Sequence, residues 1–190
     1  MTKHLQSIGT ELLVRVRQKG PGYVFTASDF ADLGSRDAVD QALSRGCSEG
    51  CIKRVTRGIY YLPQQNSMAG EVGPSSSDIA EAIARRDASR LQPTGALAAN
   101  LLGISEQVPV RAVYLTDGRN SRIKIGRREI VLKHTTPRHM ATAGRISGTV
   151  IQAFRWLGPE HVDEKIIKQI QNKLPAVARK QLLEIGRAHV

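Results

Sequence analysis

The sequence predicts an α+β protein of two domains. A capped amphipathic helix over residues 36–49 is followed at once by a β-rich hairpin over residues 51–62. After a stretch rich in Gly and Ser, a second series mixes helical and strand patterns. The first arrangement is typical of a winged helix-turn-helix, and the second is typical of a mixed α+β C-terminal domain with a small antiparallel sheet.

The N-terminal elements follow one another closely. Leu5 to Lys19 places apolar residues at helical spacing, which predicts a supporting helix. A short strand over Tyr23 to Thr26 precedes a short helix, for which Thr26 or Ser28 can serve as the N-cap. Ser35 then caps the next helix, and a glycine turn joins the two strands of the hairpin. The order helix, strand, helix, helix, hairpin is that of a winged helix.

The helix over residues 36–49 presents polar side chains opposite its apolar face. Such a face suits the major groove, where Gln41 can pair with adenine and Arg45 with guanine through two hydrogen bonds each. An ordinary solvated face is the alternative. Asp37 and Asp40 favour that alternative, because both carboxylates would repel phosphates.

The hairpin favours DNA binding over an ordinary solvated surface. Its first strand and tip carry three basic residues with no acid between them, a set that suits backbone phosphates or a minor groove. Only 4% of the residues are aromatic, so duplex DNA fits better than stacked single strands. The predicted DNA-binding residues are Thr26, Ser28, Ser35, Arg36, Gln41, Ser44 and Arg45 in and around the helix, and Lys53, Arg54 and Arg57 in the hairpin.

The predicted domains are a winged helix over residues 1–64, a linker over 65–76 and a C-terminal domain over 77–190. The linker prediction depends on a low content of large apolar residues and on the abundance of Gly and Ser. In the C-terminal domain the patterns predict helices over 77–88, 94–102, 144–157, 159–174 and 175–185, and strands over 112–116, 122–125 and 129–134.

Several functional classes are disfavoured by the composition. There is no apolar run of membrane-spanning length and no N-terminal signal, so we expect a cytoplasmic protein without a membrane partner. Cys47 and Cys51 have no second ligand pair, which predicts reduced thiols and no metal or other cofactor. Without an Asp-x-Asp or a Gly-x-Ser-x-Gly motif, no catalytic residue is predicted. His134 and His139 can bind phosphate, but strand-end and turn roles are favoured for them.

Short motifs along the chain carry a resemblance to a known family. In the N-terminal part they are Phe25-Thr26 with Asp29-Phe30, then Leu33 to Arg45, then Ile52 to Pro63 with the spacing I-x-R-x-x-R-G-x-Y-x-x-P. In the C-terminal part they are Leu91 to Ala96, Ala99 to Gly103, Val113 to Gly118 and Thr136 to Arg138. Through these motifs nearly the whole chain resembles AbiEi-type antitoxins of bacterial type IV toxin-antitoxin systems, in their DUF6088-like branch.

This resemblance implies an antitoxin, not an enzyme, that autorepresses its operon by binding duplex operator DNA. Its C-terminal domain would counteract a nucleotidyltransferase-like toxin, with or without direct binding. Polar positions in or beside the motifs are the predicted antitoxin residues, with turn and capping roles as the alternative: Arg90, Gln92, Asn100, Arg111 and Arg138. The rival hypothesis is a stand-alone winged-helix transcription regulator with a ligand-sensing second domain, and an RNA-processing enzyme is a distant third.

The charge is unevenly distributed. The chain has a formal net charge of +11, and residues 1–64 contribute +3 from 9 basic and 6 acidic side chains, whereas residues 65–190 contribute +8 from 19 and 11. The stretch from residue 119 to residue 145 contains eight basic side chains and a single acid, Glu129. This basic stretch fits contact with the toxin, contact with DNA, or a solvated sheet face, and the sequence leaves these alternatives open.

Overall fold

The computed structural model describes residues 2–66 and 70–187. Over these residues the chain forms seven α-helices and nine short β-strands, so it is a mixed α+β protein, as predicted. It divides into two compact units, residues 1–88 and residues 89–190. Each unit has a hydrophobic core of its own.

The first unit contains a three-stranded antiparallel sheet that shares its core with two helices. The strand order is β1-β3-β2, with both neighbouring pairs antiparallel. The elements follow the predicted order: α1 (Thr2–Lys19), β1 (Val24–Phe25), a 3-10 helix (Ala27–Phe30), α2 (Arg36–Ser48), β2 (Lys53–Thr56) and β3 (Ile59–Tyr61).

Phe25 lies at the centre of this core and is fully buried. Its ring meets Phe30 edge-on at a centroid distance of 5.6 Å and stacks near Tyr60 at 6.1 Å. Aromatic pairs of this kind add about 0.5–1.5 kcal/mol each beyond the area they bury. Leu12 and Val16 of α1 are buried in the same cluster, so the predicted supporting role of α1 is confirmed.

Local capping fixes both ends of α2. The Ser35 hydroxyl accepts a hydrogen bond from the backbone N–H of Ala38 at 3.3 Å, which satisfies one of the unpaired N–H groups of the first turn. At the other end Gly50 has a φ of +71°, and the N–H of Cys51 donates to the Gly46 carbonyl at 2.9 Å. This left-handed glycine cap turns the chain directly into β2.

The stretch predicted as a linker carries secondary structure. Strands β4 (Gln64–Asn66) and β5 (Gly70–Val72) pair antiparallel, and α3 (Ser76–Arg86) contacts β1 and β3. α3 therefore lies in the first unit, and the second unit begins at residue 89. This division differs from the predicted one, which placed a linker at 65–76 and the second domain from residue 77.

Arg85 attaches α3 to the three-stranded sheet. Its Nη2 donates to the carbonyl oxygen of Val24 at 2.7 Å, and its guanidinium lies 5.6 Å from the ring centroid of Tyr23. Its Nε is also 3.6 Å from a carboxylate oxygen of Asp29. The Arg85 side chain thus makes a hydrogen bond to a strand carbonyl, a cation–π contact and an ion pair, and these contacts hold α3 on this unit.

The second unit contains a four-stranded sheet and four helices. The strands have the order β6-β7-β9-β8. They are β6 (Leu91–Pro93), β7 (Arg111–Thr116), β8 (Ser121–Ile125) and β9 (Arg128–His134), and the helices are α4 (Gly95–Leu101), α5 (Ile146–Leu157), α6 (Glu164–Lys173) and α7 (Ala176–Arg187).

The three predicted strands of this unit occur within one residue of their expected bounds, but their sheet is mixed. β8 and β9 form the expected antiparallel pair, and β6 adds a second antiparallel pair with β7. β7 and β9 are parallel, so the prediction of a purely antiparallel sheet is corrected at its centre. The parallel pair brings the C-terminal ends of two strands to the same edge of the sheet.

Candidate functional sites

The outward face of α2 is exposed, as the sequence predicted. Arg36, Gln41, Ser44 and Arg45 are all exposed, and Gln41 and Arg45 stand one helical turn apart. Arg36 donates from Nε to Asp40 at 2.9 Å. This i, i+4 ion pair neutralises an acid that would otherwise repel phosphates, so it removes part of the argument for an ordinary solvated face.

The hairpin of β2 and β3 begins five residues after α2 ends, and β2 contacts α2. Gly58 has a φ of +75° at its turn, and Arg57 is exposed beside it. Arg54 donates from Nε to the carbonyl of Thr56 at 3.3 Å, and its guanidinium lies 5.9 Å from the Tyr60 ring centroid. Lys53 is exposed on the same strand. Three cationic side chains therefore line the strand and turn next to α2.

Two predicted DNA-binding residues cap helices in the first unit. Thr26 is 1% exposed, and both its backbone N–H and its hydroxyl donate to Asp29 Oδ2, at 2.7 and 3.1 Å. The prediction that Thr26 meets DNA is therefore corrected: it caps the 3-10 helix from inside the core. Ser35 is exposed but accepts the α2 cap hydrogen bond. Ser28 is exposed and lines a groove of about 310 Å³ together with Arg36.

The five predicted antitoxin residues do not form one site. Arg90 and Arg138 are exposed near the edge where β7 and β9 end. Arg111 lies at the other end of β7, where it pairs with Glu129 at 3.2 Å. Asn100 is in α4, and its Nδ2 donates to the Ser105 carbonyl at 3.1 Å, a turn role.

Gln92, the fifth of these residues, is fully buried. With the amide oriented so that both neighbours are satisfied, it donates to the Thr142 carbonyl at 3.2 Å and accepts from the backbone N–H of Thr149 at 3.1 Å. Thr149 lies in the first turn of α5, so the amide caps that helix from β6. Gly148 leaves room for this contact, because a Cβ there would lie 2.5 Å from the Thr142 carbonyl oxygen. Gln92 therefore has a buried capping role, which is the alternative that the sequence left open beside its predicted antitoxin role.

Three strands of the second unit meet at one edge of their sheet. Leu91 at the start of β6 pairs with Thr116 at the end of β7, and Thr116 pairs with His134 at the end of β9. Neighbouring strands lie about 4.8 Å apart, so these three residues form a row about 10 Å wide. We name His134 together with the residues that extend beyond this row, 89–90, 117–120 and 135–139, the strand-end cluster.

Asp117 holds Arg90 in this cluster. Its carboxylate accepts from the backbone N–H of Arg90 at 2.7 Å and from Arg90 Nε at 2.8 Å. The backbone N–H, followed by the guanidinium, lowers the pKa of Asp117 below its ordinary value. Gly118 permits a close approach here, because a Cβ at that position would lie 2.8 Å from the Cβ of Ser89.

Both histidines of the cluster are fixed through Nδ1. His134 Nδ1 is 2.8 Å from the carbonyl oxygen of Gly118, which can only accept, so this nitrogen carries the proton. The backbone N–H of His134 donates to Asn120 Oδ1 at 2.7 Å. His139 Nδ1 is 3.0 Å from the Thr135 hydroxyl. The sequence did not predict Asp117 and Asn120 as site residues, because their meeting with His134 depends on the unpredicted parallel pairing of β7 and β9.

The two units differ sharply in charge. Residues 1–88 hold 11 basic and 10 acidic side chains, for a net charge of +1, whereas residues 89–190 hold 17 and 7, for +10. Within the basic stretch 119–145, Arg122 pairs with Glu129 at 3.4 Å. Most of the basic excess is therefore in the second unit, away from α2 and its hairpin in sequence.

Over residues 2–66 and 70–187, no helix combines the length and apolar character that crossing a membrane requires. In the same described residues, no three His, Cys, Asp or Glu side chains are grouped as metal ligands would be.

Comparison with known families gives a match over most of the chain. The model of a family described as "Family of unknown function (DUF6088)" matches residues 11–182, which is most of both units. No curated protein matches the chain.

Proposed function

The chain belongs to the DUF6088 family, and we propose that it is an operator-binding antitoxin of a type IV toxin-antitoxin system. In this proposal the first unit is a winged helix that represses the chain's own operon. The second unit counteracts a nucleotidyltransferase-like toxin, and the protein acts in the cytoplasm. The resemblance of the sequence motifs to AbiEi-type antitoxins supports the whole of this proposal.

The observation that carries the DNA-binding part is the adjacency of α2 and its basic hairpin. α2 has an exposed polar face with Gln41 and Arg45 one turn apart, and β2 contacts the same helix. In a winged helix such a helix enters the major groove while the wing meets the backbone. Lys53, Arg54 and Arg57 supply the wing with positive charge, and the Arg36–Asp40 ion pair reduces repulsion at the start of the helix.

The antitoxin part is assigned to the second unit. This unit has its own core and most of the net charge, and it contains the motifs that resemble the antitoxin family beyond residue 90. Arg90 and Arg138 are the two predicted antitoxin residues that are exposed at one edge of its sheet. We therefore assign the antitoxin activity to them, in preference to the buried Gln92 and the turn residue Asn100.

The experiment separates the two roles in the full chain. A reporter is fused to the DNA upstream of the chain's own gene, and growth is measured in cells that express the nucleotidyltransferase-like toxin that the proposal expects to be encoded beside it. The variant Gln41→Ala/Arg45→Ala/Arg57→Ala should lose repression and keep growth rescue. The variant Arg90→Ala/Arg138→Ala should keep repression and lose rescue.

Each variant serves as the folding control for the other, because it must retain one activity. An intact chain that neither represses the reporter nor restores growth would contradict the proposed function. Loss of both activities in both variants, with the proteins folded, would contradict the division of roles between the units.

A further inference from the structure

We propose that the strand-end cluster of the second unit is a binding site for a phosphate group, carried either by a free nucleotide or by the 5′ end of an oligonucleotide. The proposal depends on the geometry of this cluster alone, so it stands whether or not the chain represses an operon or neutralises a toxin.

The first argument is the place of the cluster in the sheet. Residues 117 and 135 follow the C-terminal ends of the parallel strands β7 and β9, and the N–H of Thr135 donates to the Thr116 carbonyl at 2.9 Å. Arg90 joins them from the start of β6. Loops outside the carboxyl ends of parallel strands are where open α/β sheets bind their ligands, because neighbouring loops converge there.

The second argument is the chemistry of the side chains that the cluster contains. The cluster holds three arginines and two histidines against the single acid Asp117 (Arg90, Arg119, Arg138, His134 and His139). The arginines donate hydrogen bonds to an anion, and His134 does so from Nε2 as the imidazolium, since Nδ1 holds the proton of its neutral ring. A tetrahedral phosphate has several acceptor oxygens and up to two negative charges, so it matches such a set better than a carboxylate does.

The third argument is that the donors are oriented by the protein. Asp117 accepts from Nε of the Arg90 side chain, which fixes the guanidinium and leaves the N–H groups of its terminal nitrogens to meet an anion. In the same way, contacts at Nδ1 fix His134 on the Gly118 carbonyl and His139 on the Thr135 hydroxyl, which leaves Nε2 of each ring to meet a ligand. Side chains fixed in this way lose less conformational freedom on binding than ordinary surface arginines.

The acid in the cluster does not argue against an anion. Asp117 accepts two hydrogen bonds from Arg90, and these contacts hold its pKa low and its charge locally paired. It therefore positions the arginine, in the way that a carboxylate behind a ligand-binding side chain does. Replacing it with Asn should weaken phosphate binding, because the orientation of Arg90 would be lost.

The test is a titration of the full chain at low ionic strength, followed through the imidazole proton resonances of the histidines by NMR. The probes are inorganic phosphate, pyrophosphate, ATP, and a short oligonucleotide with either a 5′-phosphate or a 5′-hydroxyl. We expect saturable shifts of the His134 and His139 resonances. Tighter binding of ATP identifies a nucleotide site, and a preference for the 5′-phosphorylated over the 5′-hydroxyl oligonucleotide identifies a strand-end site.

Arg90→Ala and Arg138→Ala should each raise the Kd about tenfold or more, because each removes charged hydrogen bonds to the anion. Arg122→Ala is the matched control: Arg122 is 61% exposed and paired with Glu129, much as Arg90 is 56% exposed and paired with Asp117. It should leave the Kd unchanged. Arg138 lies in an exposed turn, so its variant is informative even if Arg90→Ala disturbs the strand end.

Three results would overturn the proposal. One is the absence of saturable shifts with any phosphate probe up to roughly 10 mM, because a small anion site with a millimolar Kd would be largely occupied at that concentration. Another is an equal loss of binding in Arg122→Ala, which would mean attraction to net charge alone. The third is unchanged binding in folded Arg90→Ala and Arg138→Ala proteins.

Discussion

Salt dependence gives the sharpest test of the proposal that the β2–β3 hairpin contacts DNA phosphates. Replacing Lys53, Arg54 and Arg57 with Ala removes three exposed cationic side chains from one strand and its turn. Each phosphate contact contributes about 0.9 to the slope of log affinity against log salt. The triple variant should therefore have a slope that is smaller by about 2.7.

The same arithmetic gives the change in affinity. Between 50 and 200 mM salt the salt concentration rises fourfold, so each contact accounts for about a 3.5-fold loss and three contacts for about a 40-fold loss. The intact chain should lose about 40 times more affinity over this range than the triple variant. Arg57→Ala alone should lower the slope by about 0.9, which corresponds to about a 3.5-fold smaller loss of affinity over this range, because it would remove one of the three proposed contacts.

The assay is fluorescence anisotropy with a labelled duplex from the DNA upstream of the gene. Lys19→Ala is the control, since Lys19 is exposed at the end of α1, near the base of the hairpin where Gly22 N–H donates to the Leu62 carbonyl. Arg54 also lies over the Tyr60 ring, so thermal melting must show that the variant is folded. An unchanged slope in a folded triple variant would refute wing contact with phosphates.

Three further predictions concern named side chains. Gln41→Ala and Arg45→Ala should each cost about 1–3 kcal/mol on operator DNA and much less on random duplex, and equal losses in binding titrations would mean backbone contact only. The folded-state pKa of Asp117 is lowered, so the stability that its carboxylate gives to the fold is present above its ordinary pKa of about 3.9 and is lost as the pH falls toward the lowered value. Asp117→Asn should therefore show a lower melting temperature at pH 7 and a shallower fall of melting temperature on acidification. Superimposable melting curves for the two proteins would contradict this. Gln92→Leu leaves the Thr142 carbonyl and an α5 N–H unpaired, so it should cost about 1–3 kcal/mol in urea unfolding, whereas an unchanged midpoint would refute the buried cap.

The elements of the first unit were predictable because their signals are local. Ser35 and Gly50 mark the two ends of α2 through capping that depends on neighbouring residues only. The turn glycine Gly58 marks the hairpin in the same way. The exposure of Gln41 and Arg45 followed from helical periodicity.

What the sequence did not reveal depends on contacts between distant residues. A Thr before a short helix can cap it from solvent or from the core, and the burial of Thr26 was decided by the sheet behind it. The attachment of α3 through Arg85 joins residues 61 positions apart. The strand-end cluster required a parallel pair, β7 with β9, whereas the turn signals between these strands indicated antiparallel neighbours.

The central claim, that this chain is a specific operator-binding protein, is tested most directly by one comparison of affinities. The full chain is titrated at physiological salt with duplex DNA from upstream of its own gene and with a random duplex of equal length. The proposed function predicts that the upstream DNA binds at least about 10³-fold more tightly, and that Gln41→Ala/Arg45→Ala removes most of this ratio. Equal affinity for the two duplexes would contradict the claim.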